Sequence, residues 1–214
     1  MQVPNSTYIY RFIHIDNIPV LLRRKGIHAP LHNPDDGLVY KAIHNAEIQT
    51  QRQVKPIPCA PGGKIHDYVP FYFCTRSPML YILSKGGVEG YSEGQEPLIY
   101  LVTTAQKVAA SAIPFVFSDG HGIALYTDWF CDLADLEKVD WEIIEAKYWF
   151  DTPEDGDRKR RRQAEFLIYH FCPWSLVLGI VVINDKMKMQ VEKIFARFPS
   201  EMHRQVVVRR AWYY

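Results

Sequence analysis

Apolar and aromatic side chains alternate from Tyr8 to Ile13, the period of a half-buried strand, and predict a first strand there. Asp16 or Asn17 is placed to cap a short helix carrying Ile18, Leu21 and Leu22. Gly26 stops it after the basic turn Arg23, Arg24 and Lys25, the sign that a helix C-terminus favours. Residues 27 to 40, with Pro30, Pro34, Asp35, Asp36 and Gly37, read as loop. Residues 44 to 53 suit a second short helix whose apolar face is thin. Pro56 to Gly63 holds three prolines and two glycines and is expected to be irregular.

The pattern sharpens after that loop. Val69 to Cys74 is strand-like, and Ser77-Pro78 caps and opens a helix that Gly86 and Gly87 close. Leu98 to Thr103 predicts a buried strand, Ala105 to Ala112 a small-residue helix, and Pro114 to Ser118 another strand. Residues 119 to 163 are mixed and polar, helical near Trp141 to Lys147, and end in a charge run. Glu165 to Tyr169 and Val177 to Ile183 predict two more strands, joined at Pro173-Trp174. Lys186 to Phe198 carries Met187, Val191, Ile194, Phe195 and Phe198 on one helical stripe, and Val206 to Arg209 predicts a last strand. Strands and helices in this order suit one α+β domain over residues 1–214 better than regular βαβ winding.

Composition narrows the function. Lys plus Arg number 25 and Asp plus Glu 24, a formal net charge of +1, so any nucleic-acid surface must be local. The apolar run Leu176 to Ile183 is far short of the ~20 residues that span a bilayer. Met-Gln-Val-Pro-Asn shows neither a cationic leader nor an apolar core, and four cysteines outside any Cys-x-x-Cys pair fit reduced thiols. No membrane contact and a cytoplasmic location are expected.

The eight histidines show no helical i, i+4 pair beside a carboxylate, and His28-x3-His32 falls in a proline-rich loop, so no metal site is expected. A P-loop, a GxGxxG turn and a serine elbow are absent. Trp141-Glu142-Ile143-Ile144-Glu145-Ala146-Lys147 has two readings. Glu145 and Lys147, with Asp128 as partner, have the residue types of a metal-dependent nuclease; the same residues also suit an exposed amphipathic helix. The run Arg158-Lys159-Arg160-Arg161-Arg162 is either a solvated face or a hold on a phosphate backbone beside Glu165. Tyr148, Trp149, Tyr169, His170 and Trp174 lie nearby in sequence and offer stacking surfaces for single-stranded bases.

Three segments carry a resemblance. Pro61-Gly62-Gly63-Lys64-Ile65-His66-Asp67-Tyr68-Val69-Pro70-Phe71-Tyr72-Phe73, followed by Arg76-Ser77-Pro78-Met79-Leu80-Tyr81, resembles the central signature of the DarT family of DNA ADP-ribosyltransferase toxins. Ile9 to Asn17 is similar to that family's first strand, and Arg162-Gln163-Ala164-Glu165-Phe166-Leu167 to the segment with its catalytic glutamate. The closing Trp212-Tyr213-Tyr214 also matches, so the resemblance spans nearly the whole chain.

The resemblance implies an ADP-ribosyltransferase-like fold: two packed mixed or antiparallel sheets, an NAD cleft and peripheral helices. It implies NAD as co-substrate, single-stranded DNA as acceptor at a thymidine base, and a macrodomain antitoxin, DarG, as partner to a monomeric toxin. Glu165 takes the catalytic role and Arg52 assists it while contacting NAD. His14, Ile15, Asp16, Arg23 and Leu31 are the further expected NAD contacts. His121, Tyr72 and Met79 are expected at the DNA base, Arg158, Lys159, Arg160 and Arg161 along its backbone, and residues 119 to 165 as the substrate-facing loop. Two other functions fit weaker patterns: the nuclease of Glu145 and Lys147, and a nucleic-acid-binding domain without catalysis.

Overall fold

The strand predicted at residues 8 to 13 is the hub of the sheet. The computed structural model describes residues 3–214, and β1 (Tyr8–His14) lies at its centre. On one side β1 pairs in full antiparallel register with β4 (Leu98–Thr104), from Tyr8 against Thr104 to His14 against Leu98. Beyond β4 come β9 (Gly179–Val182) and, parallel to it, β10 (Gln205–Val208). On the other side of β1 lie β3 (Tyr68–Tyr72), β7 (Glu165–Tyr169), β5 (Phe115–Ser118) and β6 (Trp129–Phe130). A second, two-stranded sheet joins β2 (Gly26–His28) to β8 (Phe171–Pro173). Two sheets are therefore present, as expected, but very unequal in size.

The seam between β1 and β3 shapes the molecule. Only Tyr10 and Tyr72 pair across it. Within an antiparallel strand, a residue's N–H and C=O address the same neighbour. The Pro70 carbonyl accepts a bond from Arg11 Nη1 at 2.9 Å, so Pro70 faces β1, where its ring leaves no N–H to continue the ladder. A side chain bridges there instead, and the two half-sheets part.

Short helices flank the sheet: α1 (Ile18–Arg23), α2 (Ala46–Val54), α3 (Pro78–Ser84), α4 (Ala105–Ala110), α5 (Trp141–Glu145), α6 (Arg158–Arg161) and α7 (Asp185–Phe195). Ser77 caps α3, its Oγ accepting from Leu80 N–H at 3.2 Å. Asn17 precedes α1 but its side chain does not cap it. It binds both backbone groups of Lys41 instead, at 2.7 and 2.9 Å, and so ties down the loop leading to α2. Strand β2, which runs from the expected helix stop Gly26 into the expected loop 27–40, is three residues long and pairs with a segment some 145 residues away, so local pattern could not disclose it.

Tyr213 is fully buried. Its hydroxyl lies 2.9 Å from the Leu98 carbonyl oxygen and 3.2 Å from that of Val181, bridging β4 and β9. Among the described residues no helix is long and apolar enough to cross a membrane.

Candidate active site

A cavity of about 740 Å³ opens at the seam, within the size range of a small-molecule site. Glu165 lies in its lining as the first residue of β7, directly opposite Tyr72 of β3. Its carboxylate is 1% exposed and takes both terminal nitrogens of Arg52: Nη1 to Oε1 at 2.9 Å, Nη2 to Oε2 at 2.7 Å. Arg52 is the one buried residue of α2, which explains the thin apolar face seen in the sequence. Asn45 caps that helix, accepting from Ile48 N–H at 3.1 Å, and sets the face that points inward.

Three backbone contacts complete the setting. The Gly122 N–H donates to Glu165 Oε1 at 3.1 Å. Ser118 Oγ accepts from the Glu165 N–H at 3.1 Å and donates to the Gly120 carbonyl at 2.6 Å. A Cβ at Gly122 would stand 3.2 Å from Oε1, so glycine there lets the backbone reach the carboxylate.

Burial opposes charge on Glu165, but Arg52, then His121 and the Gly122 N–H, hold its pKa below the ordinary carboxylate value. Burial likewise works against the Arg52 cation, and Glu165 outweighs it, so Arg52 is more firmly protonated than a free arginine. Burial lowers His121, partly offset by Glu165, and leaves its imidazole neutral at pH 7. A buried ion pair seldom adds net stability, because desolvation consumes most of the Coulomb gain. The pair's value lies in a fixed, ionised carboxylate at the cavity wall.

The structure gathers some predicted residues and separates others. Glu165, Arg52, Tyr72, Met79, His121 and Lys159 line the cavity. His14, Ile15, Asp16, Arg23 and Leu31 do not. His14 is 2% exposed and sits among Asp16, Lys41 and Glu93, with Nε2 3.2 Å from both Lys41 Nζ and Glu93 Oε2. Ile15 is core, and Arg23 and Leu31 are exposed. Arg24 and Pro30, one residue from Arg23 and Leu31, line the cavity in their stead.

The arginines of the basic run are paired with acids from other segments. Arg160 binds Asp119 at 2.9 and 3.1 Å and Asp157 at 2.7 and 2.8 Å. Arg161 pairs with Asp140 and Asp155, and Arg158 lies 3.9 Å from Asp155 and donates to the Tyr148 carbonyl. Arg160 further accepts the His121 N–H on its carbonyl at 3.0 Å. These arginines clamp α6 to the loop that brings Gly122 to Glu165. Lys159 is exposed, makes no ion pair among the described residues and faces the cavity. Glu145 and Lys147 are exposed on and just after α5. Among the described residues no group of three metal-competent side chains includes Glu145 or Asp128.

Sequence reasoning missed Arg11, Gly122 and Ser118. Arg11 breaks the aromatic alternation of β1, the one signal it offered. Its Nε is buried without a hydrogen-bond partner, and the residue lines the cavity.

The sheet thus splits at a cleft whose wall carries an ionised glutamate held by a buried arginine. Residues 10–214 match the family described as ssDNA thymidine ADP-ribosyltransferase, DarT, and the chain belongs to that family. A DNA ADP-ribosyl transferase of Thermus sp. (strain 2.9) is 43% identical over 211 residues, covering 99% of this chain and 98% of its own. The solved Thermus sp. 2.9 DarT in complex with NAD+ superposes with a TM-score of 0.87 at 40% identity, covering 100% of both chains. Its complex with ADP-ribosylated ssDNA gives 0.93 at 41%, over 100% of this chain and 99% of that one.

Proposed function

We infer that this chain transfers ADP-ribose from NAD+ to a thymidine base of single-stranded DNA, with Glu165 as catalytic carboxylate and Arg52 as the group that fixes it. The bidentate Arg52–Glu165 pair in the cavity wall carries this reading. NAD+ supplies a ribose whose bond to nicotinamide breaks with positive charge developing at the anomeric carbon, as in glycoside cleavage. A carboxylate held ionised beside that carbon stabilises charge that exists only in the transition state. The depressed pKa of Glu165 keeps it in that form.

The thymine ring nitrogen must give up a proton as it bonds to ribose. Arg52 is no acceptor, since arginine stays protonated in proteins and this one is held more firmly still. Glu165, the only carboxylate lining the cavity among the described residues, relays that proton away from the base. Its partner Arg52 supplies fixed positive charge near the deprotonated base. His121, neutral and in the adjoining loop, contacts the base, with Tyr72 and Met79 on the opposite wall. The loop from about 119 to 165 faces DNA, and Lys159 is its free cation. Expected NAD contacts at His14, Ile15 and Asp16 require movement of the Lys41 and Glu93 side chains that now enclose His14.

Unrestrained modification of single-stranded DNA harms the cell that makes the enzyme. That supports a toxin role in the cytoplasm and restraint by a macrodomain antitoxin of the DarG kind. The deciding experiment incubates a thymidine-containing oligonucleotide with the protein, NAD+ and EDTA. A mass gain of one ADP-ribose with the parent protein, slowed ~10²–10³-fold with Glu165→Gln, is expected. Labelling by that variant at the parent rate refutes the Glu165 assignment.

A further inference from the structure

We propose that His32, Asp67 and His170 form a site for one divalent transition-metal ion, built beside the NAD cavity and separate from it. One ligand atom from each residue lies within 4.8 Å of the others, and none of the three lines the cavity.

They arrive from three distant segments. His32 ends the 3-10 turn Pro30–His32 after β2, Asp67 ends the turn Ile65–Asp67 before β3, and His170 is the corner between β7 and β8. The backbone already locks them together. The His170 N–H donates to the Asp67 carbonyl, and the His170 carbonyl accepts from the Ala29 N–H, both at 2.8 Å. His170 holds φ at 55°, left-handed backbone that a histidine adopts uncommonly. That conformation sets its ring between those of His32 and Tyr169, each centroid 3.6 Å away.

The chemistry of the donors fits a metal. Two imidazoles and one carboxylate are a familiar open ligand set for zinc and its first-row neighbours, with water completing the shell. His32 Nε2 stands 2.9 Å from Asp67 Oδ1. Two ligand atoms each ~2.0–2.1 Å from one ion, at an angle of about 90°, are separated by that distance. In the metal-free protein a hydrogen bond joins those atoms, and a metal ion bound between them takes its place. The second Asp67 oxygen accepts from the Lys64 N–H at 2.7 Å, an outer hydrogen bond that fixes the carboxylate's orientation.

The site's neighbours say what an ion does there. Pro30 and Asn33 flank His32 in the cavity wall, and His66 and Tyr68 flank Asp67 there. The ion staples the loop after β2 to the loop before β3, bracing the wall without touching reacting atoms.

The test uses the whole protein, stripped with EDTA and titrated with Zn²⁺ by calorimetry, and with Co²⁺ by visible absorption. One equivalent is expected to bind, with a Tm that rises with free metal concentration. His32→Gln and His170→Asn are each expected to weaken binding at least ~100-fold, more than removing an outer hydrogen bond would do. Asparagine tolerates the left-handed backbone at 170, and circular dichroism confirms that each variant is folded. No stoichiometric binding to the parent protein overturns the proposal. Binding that survives both substitutions unchanged also overturns it, since one of the other histidines is then the ligand.

Discussion

Arg52 and Glu165, 113 residues apart in sequence, meet through two parallel hydrogen bonds inside the protein, so neither can be altered without stranding the other's charge. Glu165→Gln keeps the shape and an acceptor oxygen but removes the charge. Transfer is expected to fall ~10²–10³-fold, the usual effect of deleting one group that stabilises charge in the transition state. Oligonucleotide mass spectrometry at saturating NAD+ measures it.

Arg52→Lys retains a positive charge but not the planar fork. A fall in Tm accompanies the fall in rate, because breaking one side of a buried pair costs about 3–5 kcal/mol. Combining Arg52→Gln with Glu165→Gln is expected to destabilise less than the sum of the single changes. Strict additivity in denaturant titrations would show that the two side chains do not interact in solution.

Lys159 and Arg160 are neighbours with opposite expected phenotypes. Lys159→Gln raises the KM for the oligonucleotide and leaves Tm unchanged. It also flattens the log–log salt dependence by ~0.7, the share of one phosphate held by one cation on a single strand. Arg160→Gln lowers Tm, since it releases Asp119 and Asp157 together. Kinetics at two salt concentrations and a melting curve separate the pair.

Gly120→Ala probes the same clamp from the other side. A Cβ there would overlap Arg160 Nη1, which its two aspartates hold in place. The arginine must leave, the Gly122 N–H loses its support, and kcat is expected to fall more than KM for NAD+ rises. An unaffected kcat would dissociate the loop from the carboxylate.

His66 gives the fold an acid-sensitive window. Burial, then the charges on Arg52 and His44, push it down to about 4. An unfolded histidine titrates near ~6.5, so between these values the unfolded chain binds more protons. Stability is therefore full above about 6.5 and declines as pH drops towards about 4. Glu165 adds a further loss below the ordinary carboxylate range, its folded pKa being depressed. His66→Gln is expected to flatten the upper part of a Tm–pH curve and leave the lower part in place.

Much of this is legible in the sequence because it is local. The limits of β7, the Ser77 cap and the stripe of α7 follow from spacing within a few residues, and each appears close to where the pattern puts it. Family resemblance singles out Glu165 and Arg52 but not their contact, since helix α2 buries a charge and periodicity looks for apolar residues. The acid partners of the basic run are hidden for a related reason. Asp119 and Asp140 stand tens of residues upstream, and only the folded loop brings them to Arg160 and Arg161. The grouping of His32, Asp67 and His170 is equally hidden, because the informative neighbour of His32 is not His28 but a corner of the sheet.

The seam also imposes an order of synthesis. Strands β3, β5, β6 and β7, with the loop that serves Glu165, occupy residues 68 to 169, so the half-sheet bearing the carboxylate is complete in the nascent chain first. The half containing β1 waits for β9, β10 and the Tyr213 hydroxyl that joins β4 to β9. A ribosome exposes only what it has already translated, and pairing over such distances along the chain is slow. Glu165 is the last residue of the cleft lining to be translated, and β9 and β10, which brace β1 through β4, follow it, so a nascent chain holds every group of the site before the sheet behind one wall is complete.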